Sequence, residues 1–398
     1  MPLSAAGGPP AGAFPIGARV RLRQLAGDPH AVLARLRASE PVSWIRPLEG
    51  WLVTRHDLAL TAVRDADAFT VDDPRFSTGQ VIGPSMLSLD GEAHAQHRAP
   101  FSPPFKPRAV RARFAAPVTA EADALIDRLR EQPGAELRRS FAGPLAARIV
   151  SDALGFDPAE DDSLLGWYDA IVAGVTEITA GERLPDSARN AFASLSGRLQ
   201  AVIDDSGRYS LLAAASAAAT LTQEEVISNA AVLLFGGIET TEGMICNAIL
   251  ALLSHPDALA RVRADPALLE RAIDESLRLE PAAAVVDRYA TREIELGGAR
   301  IAAGDLVRVS IAAANRDPTV FQDPDRFDLD RDNPRRHLAF AHGPHVCLGV
   351  HLARLEARTA IARLLETFPG IRLDRTRVEP VCGLVFRKPR TLYALWGR

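Results

Sequence analysis

The sequence predicts a mainly α-helical protein with a minor β lobe, and three observations carry that expectation. Ala, Leu and Arg recur at helical spacing from about His94 to Leu279 and again from Leu348 to Phe368. One helix is marked at both ends: Thr222 and Glu225 form a capping box, the pattern runs to about Ser254, and Pro256 follows. Strand-like runs are short, carry turn signals and lie outside these stretches.

Taken in order, Pro41 to Arg46 and Trp51 to Arg55 flank a Pro-Leu-Glu-Gly turn and read as a hairpin. The helical stretches follow. The marked helix has some thirty residues and would span roughly 45–50 Å at 1.5 Å per residue. Its interior holds Gly236-Gly237 and then Glu239-Thr240-Thr241, poor choices for helix stability that point to function. A second hairpin runs from Glu293 to Ile301 around Gly297-Gly298, and Asp305 to Ile311 reads as a further strand. The last strands are expected around Leu384 to Arg387 and Thr391 to Trp396.

Composition sets the broad class. The 398 residues are 47% hydrophobic and 24% charged, ordinary for a globular protein with a large core. No linker or charge run divides the chain after its Pro/Gly/Ala-rich start, so residues 1–15 are expected to form a flexible tail and 16–398 a single domain. A net charge of -4 with both signs interspersed provides no basic field for nucleic acid. Met1 to Pro15 lacks the features of a signal peptide, and every apolar run is broken before the eighteen or so residues of a membrane span. The expectation is a cytoplasmic protein without a membrane partner. Cys246, Cys347 and Cys382 are too few and too scattered for a disulfide framework.

Cys347 lies in Phe340-Ala341-His342-Gly343-Pro344-His345-Val346-Cys347-Leu348-Gly349, a Gly/Pro-containing loop before an amphipathic helix. At a helix N-terminus, unpaired N–H groups and the macrodipole favour thiolate, the form a metal requires. Gly343 and Gly349 allow the backbone to approach a flat cofactor, and Phe340 can pack on its face. A lone cysteine before a helix is more often a small buried hydrophobe. Zinc is the other reading, since His342, His345, Cys347 and His351 are near in sequence, but structural zinc sites usually bring paired cysteines.

The pattern Phe-x-x-Gly-x-His-x-Cys-x-Gly resembles the haem-binding loop of cytochromes P450, with Ala341 where that family usually has a second glycine. The companions occur in the family's order. Glu275-Ser276-Leu277-Arg278 is similar to its Glu-x-x-Arg motif and precedes Asp323-Pro324-Asp325-Arg326-Phe327. Gly236 to Thr241 resembles its distal helix motif, and His94 with Arg98 its His-x-x-x-Arg pair, although Gly91-Glu92 departs from the usual Pro-Pro before it. The likeness extends from the Pro41 hairpin through Asn315-Arg316-Asp317-Pro318 to Val385-Phe386-Arg387.

The resemblance implies the cytochrome P450 fold, with haem b between the long helix and the cysteine loop and Cys347 as axial ligand of the iron. It implies a structural charge cluster of Glu275, Arg278 and Arg326 behind the loop. His94, Arg98, Arg288 and His345 are expected at the haem propionates, and Gly237, Phe340 and Gly349 against the cofactor. Two glycines permit a local opening of the long helix, leaving room for dioxygen, while Glu239 and Thr240 supply an acid and an alcohol to relay protons. A thiolate ligand favours O–O cleavage, so the implied activity is a monooxygenase.

No Gly-x-Gly-x-x-Gly follows a strand, so electrons are expected from a separate ferredoxin or flavodoxin with an NAD(P)H-dependent reductase. Arg98, Lys106, Arg108, Arg111, Arg113, Arg335, Arg336, Arg354 and Arg358 offer a basic docking face. The implied pocket, including Ile82, Met86, Leu87, Val285 and Val286, is apolar and suits a small apolar organic substrate of secondary metabolism. The protein is expected to be a monomer. A peroxygenase of the same fold or a non-catalytic haem sensor is the alternative, and Glu239-Thr240 argues against the first.

Overall fold

Short runs rich in β-branched and aromatic residues suit strands buried on both faces, and five such segments pair in one sheet. Val42–Ile45 runs antiparallel to Gly50–Val53, with Trp44 opposite Trp51. Gly50–Val53 lies parallel to Leu306–Ser310, which is antiparallel to Val285–Ala290, whose far edge takes Phe69–Thr70. The computed structural model describes residue 9 and residues 12–157, 161–205 and 210–397. It divides into two units: Met1–Asp73 with Asp274–Cys347 and Pro380–Lys388, and Pro74–Ile273 with Leu348–Glu379 and Pro389–Arg398.

The first unit is built on that sheet. Trp51, Val53, Val307 and Val309 face Ala59, Ala62 and Val63 of the helix His56–Arg64. Leu52 and Ile45 point to the other face, toward Leu25, Leu33 and Leu36. A period of two thus gives one sheet two cores. The hairpin Ile294–Leu296 with Ala299–Ile301 turns on Gly297 and Gly298, both at positive φ. A Cβ on Gly297 would also stand 2.6 Å from Leu58 Cδ1, so a side chain there would have to displace the leucine. Of the expected tail, residues 1–8, 10 and 11 lie outside the described residues, while Phe14 packs edge-on against Trp51 at 5.1 Å.

The second unit is helical. The long helix, Gln223–Ser254, has 32 residues and the expected capping box: Glu225 N–H donates to Thr222 Oγ1 and Thr222 N–H to Glu225 Oε2. It packs on Gly143–Leu154, Asp161–Thr179 packs on Asp186–Asp204, and Pro107–Leu129 packs on Val350–Thr367. Among the described residues no single helix is long and apolar enough to cross a membrane; the bent pair Gln223–Ser254 and Pro256–Ala264 passes only together.

Two expectations need correction. The helical stretch is interrupted by the strand Gly134–Glu136 and the π-turn Arg138–Ala142, because Pro133 and Gly134 stop the preceding helix. Gly134–Glu136 pairs with Tyr393–Leu395, which also takes Arg372–Leu373. The strand expected at Leu384 to Arg387 is reduced to one bridge, Ala283 with Phe386, and pairing moves to Val381–Cys382 with Lys388–Pro389. Gly383, at φ +124°, folds the backbone back there.

Candidate active site

The loop before Cys347 is fixed from both ends within the first unit. Cys347 N–H donates to the Phe340 carbonyl at 2.9 Å, closing the loop on itself. Upstream, Leu338 N–H donates to Asn315 Oδ1 at 2.7 Å and the His337 ring lies 6.0 Å from that of Phe340. Gly343 sits at φ +74°, where a Cβ would stand 2.8 Å from the Val63 carbonyl oxygen and 2.9 Å from Arg64 Cα. Glycine is therefore required, and the loop backbone presses directly on that chain. Burial, then the Arg64 cation, hold His342 below the usual histidine range. His345 lies on the single turn Gly343–His345 and is half-buried.

The helix after the loop begins at Val350, with Gly349 as its cap. Cys347 thus lies three residues before the first helical position. Among the described residues, no group of three or more His, Cys, Asp or Glu side chains converges as a metal site. A bare ion would not find its ligands around Cys347. A metal arriving in a macrocycle needs only one protein thiolate, so the donor set fits haem.

Behind the loop, Glu275 and Arg278 are fully buried and pair through Oε2 and Nε at 2.8 Å. Arg278 also donates to the carbonyls of Asn315, Pro324 and Arg326. The third charge is Arg331, whose Nε lies 2.9 Å from Glu275 Oε1 and whose amino groups bind the carbonyls of Gln322, Asp323 and Arg326. Arg326, expected in this role, contributes only its backbone carbonyl and its side chain is exposed. The spacing after Asp323-Pro324 gave no means of choosing between the two arginines. Arg288 is buried on the strand Val285–Ala290, with Nη1 donating to the Asp287 carbonyl at 2.8 Å. Val285 and Val286, on the same strand, are half-buried.

The remaining expected residues belong to the helical unit. His94, buried, and Arg98 lie one turn apart on Gly91–Arg98. Gly91 opens that helix at φ +60°, a conformation closed to proline, which accounts for the departure from Pro-Pro. Asn229, missed in the sequence, ties three segments together: Oδ1 accepts from Met86 N–H at 2.7 Å, and Nδ2 lies 2.9 Å from His97 Nδ1 and donates to the Glu225 carbonyl. Met86 and Ile82 are buried, and Leu87 is half-buried.

The long helix is unbroken across Gly236 to Thr241, so the expected opening of its ladder is not seen. Instead Thr240 Oγ1 donates to the Gly236 carbonyl at 2.6 Å. A Cβ on Gly237 would stand 3.0 Å from Val150, whereas one on Gly236 would meet nothing within 4 Å. Gly237, expected at the cofactor, packs closely against Val150, while Gly236 has an open face. Glu239 is buried, not a solvated surface charge, and accepts a hydrogen bond at Oε2 from the Tyr168 hydroxyl. Neither Tyr168 nor its reach to Glu239 was legible in the sequence.

The comparisons agree with this architecture. The sequence profile of the cytochrome P450 family matches residues 196–390. The chain is 37% identical over 372 residues to cytochrome P450 monooxygenase PikC of Streptomyces venezuelae, covering 88% of this chain and 86% of that one. It is 34% identical to mycinamicin IV hydroxylase/epoxidase of Micromonospora griseorubida, over 91% of this chain and 94% of that one. Among solved structures, myxobacterial cytochrome P450 CYP267B1 in complex with myristic acid superposes with a TM-score of 0.86 at 30% identity, covering 97% of this chain and all of that one (100%). With these likenesses over almost its whole length, the chain belongs to the cytochrome P450 family, as a monooxygenase whose cofactor is a cysteine-ligated haem.

Proposed function

We propose that Cys347 is the thiolate ligand of the haem iron. The observation that carries this is the ligand loop: one thiol, in a loop closed by the bond from its own N–H to Phe340 and seated through Gly343 against Val63 and Arg64. Reduced protein under carbon monoxide is expected to give the red-shifted Soret band of thiolate-ligated haem, and Cys347→Ala to lose it. A wild-type spectrum without that band overturns the assignment.

When bound, the haem supplies oxygen-activating chemistry, its thiolate favouring O–O cleavage. His94, Arg98, Arg288 and His345 donate to its propionates, since each carries N–H donors suited to a carboxylate. Phe340, Gly237 and Gly349 would lie against it. Thr240 Oγ1 passes protons toward dioxygen, and the neighbouring Glu239 carboxyl replaces them. The burial of Glu239 supports this role over that of a surface charge. A peroxygenase would need no such acid–alcohol pair.

The substrate is a mainly apolar small molecule of secondary metabolism, held by Ile82, Met86, Leu87, Val285 and Val286. Electrons come from a ferredoxin or flavodoxin served by an NAD(P)H-dependent reductase. Its acidic surface docks on the exposed side chains of Lys106, Arg108, Arg111 and Arg358. The protein works in the cytoplasm as a monomer, with residues 16–398 forming one family domain.

A further inference from the structure

Inside the helical unit, Glu239 is one member of a polar line that no motif accounts for. Tyr168, on the helix Asp161–Thr179, is 4% exposed and donates its hydroxyl to Glu239 Oε2. A phenol donates only while protonated. Burial, then the charges of Glu239 and Glu242, push the Tyr168 hydroxyl well above its ordinary range, so it stays a donor.

One turn along the long helix, Glu242 is equally buried, and Arg138 Nε donates to its Oε1 at 2.8 Å. Residues three apart share a helix face. Arg138 sits on the π-turn Arg138–Ala142, which Glu136 ties down by accepting from the N–H groups of Arg138 and Arg139. Its Nη1 continues to the Arg390 carbonyl at 2.9 Å, at the surface. Burial opposes the Arg138 charge, but Glu242, Cys246 and Glu239 together raise its pKa, so the cation feels both acids. Buried carboxylates persist only when paired or hydrogen-bonded. Here two elements of unrelated sequence provide the partners.

We propose that Tyr168 positions Glu239 for its work beside Thr240, and that the Arg138–Glu242 pair anchors the solvent end of the same polar line. This rests on the reading of Glu239 as the proton-handling acid. It adds a positioning residue on a neighbouring helix and assigns a purpose to a buried ion pair outside the motif.

The test is Tyr168→Phe in the purified holoprotein, which removes the hydroxyl and keeps the ring. The infrared carboxylate band of Glu239, identified by its loss in Glu239→Gln, is expected to shift. Product formed per reducing equivalent is expected to fall by up to about tenfold, about 1.4 kcal/mol of barrier, with peroxide released instead. Glu239→Asp keeps the charge but loses one methylene of reach, and is expected to show the same loss. In a Glu239→Gln background, Tyr168→Phe is expected to change nothing further. An unshifted band overturns the proposal, and so does an equal loss in the Glu239→Gln background, which would make Tyr168 a packing residue. The band is read without turnover. A missing thiolate–haem spectrum therefore overturns the haem reading, whereas a missing shift in protein that has the spectrum overturns this one.

Discussion

Ala341 adopts φ +54°, the left-handed region that favours glycine. An L-residue there costs about 1–2 kcal/mol, while glycine loses about 0.5–1 kcal/mol more chain entropy than alanine on folding. Relief of the strain outweighs the entropy. Ala341→Gly is expected to stabilise the protein by roughly 0.5–1 kcal/mol, read as a higher urea midpoint at unchanged slope. An unchanged or lower midpoint would mean that the loop holds Ala341 without strain. Gly343 shows the opposite case two residues on, because both its φ and the nearby Val63 carbonyl exclude a side chain. A loop with such constraints fixes Cys347 through its own backbone.

At the scale of elements, the segment leading into that loop is organised by side chains rather than by regular structure. Arg331 crosses from its own turn to Glu275 and to three carbonyls, so removing it leaves a buried carboxylate and several unmet acceptors. Arg331→Met is expected to cost about 3–5 kcal/mol, the range for breaking a buried pair. Arg326→Ala, at an exposed side chain, should stay within about 0.5 kcal/mol. Comparable losses from both would overturn the reassignment. The elements were legible in part: the turn-flanked hairpin and the run from Asp305 marked three strands of the sheet and the capping box at Thr222 placed the start of the long helix, while Phe69–Thr70 and Val285–Ala290 carried no such signal. Illegible were features set by tertiary contact. Nothing local distinguishes Arg331 from Arg326, or Tyr168 from any other tyrosine on an amphipathic helix, because their roles depend on partners dozens of residues away. Which of Gly236 and Gly237 is covered was illegible for the same reason, since Val150 decides it.

At the scale of the whole molecule, the chain closes on itself within the sheet-bearing unit. Glu280 receives His30 Nε2 at 2.5 Å, Arg316 Nη2 at 3.1 Å and Arg387 Nε at 3.3 Å. Arg387 reaches further, to the carbonyls of Gly27 and Gly383. One carboxylate thus joins stretches near the beginning, middle and end of the sequence. Burial works against the Glu280 charge, but His30, Arg387 and Arg316 hold its carboxyl below the usual glutamate range. A folded pKa below the unfolded one means that the folded state binds the proton less well, so the contribution is present above the unfolded value of about 4.3 and is lost as pH falls through the folded one. Glu280→Gln keeps the shape and removes the charge. Its side chain is 22% exposed, so the loss belongs with hydrogen bonds to a charged group rather than with a fully buried pair. Near neutral pH the variant is expected to be less stable by roughly 1.5–3 kcal/mol. Urea midpoints between about pH 7 and about pH 3 should show the gap to wild type narrowing from about pH 4 downward and closing once wild-type Glu280 is protonated. A gap that stays constant over that range would mean that the fit of the side chain, and not its charge, closes the chain.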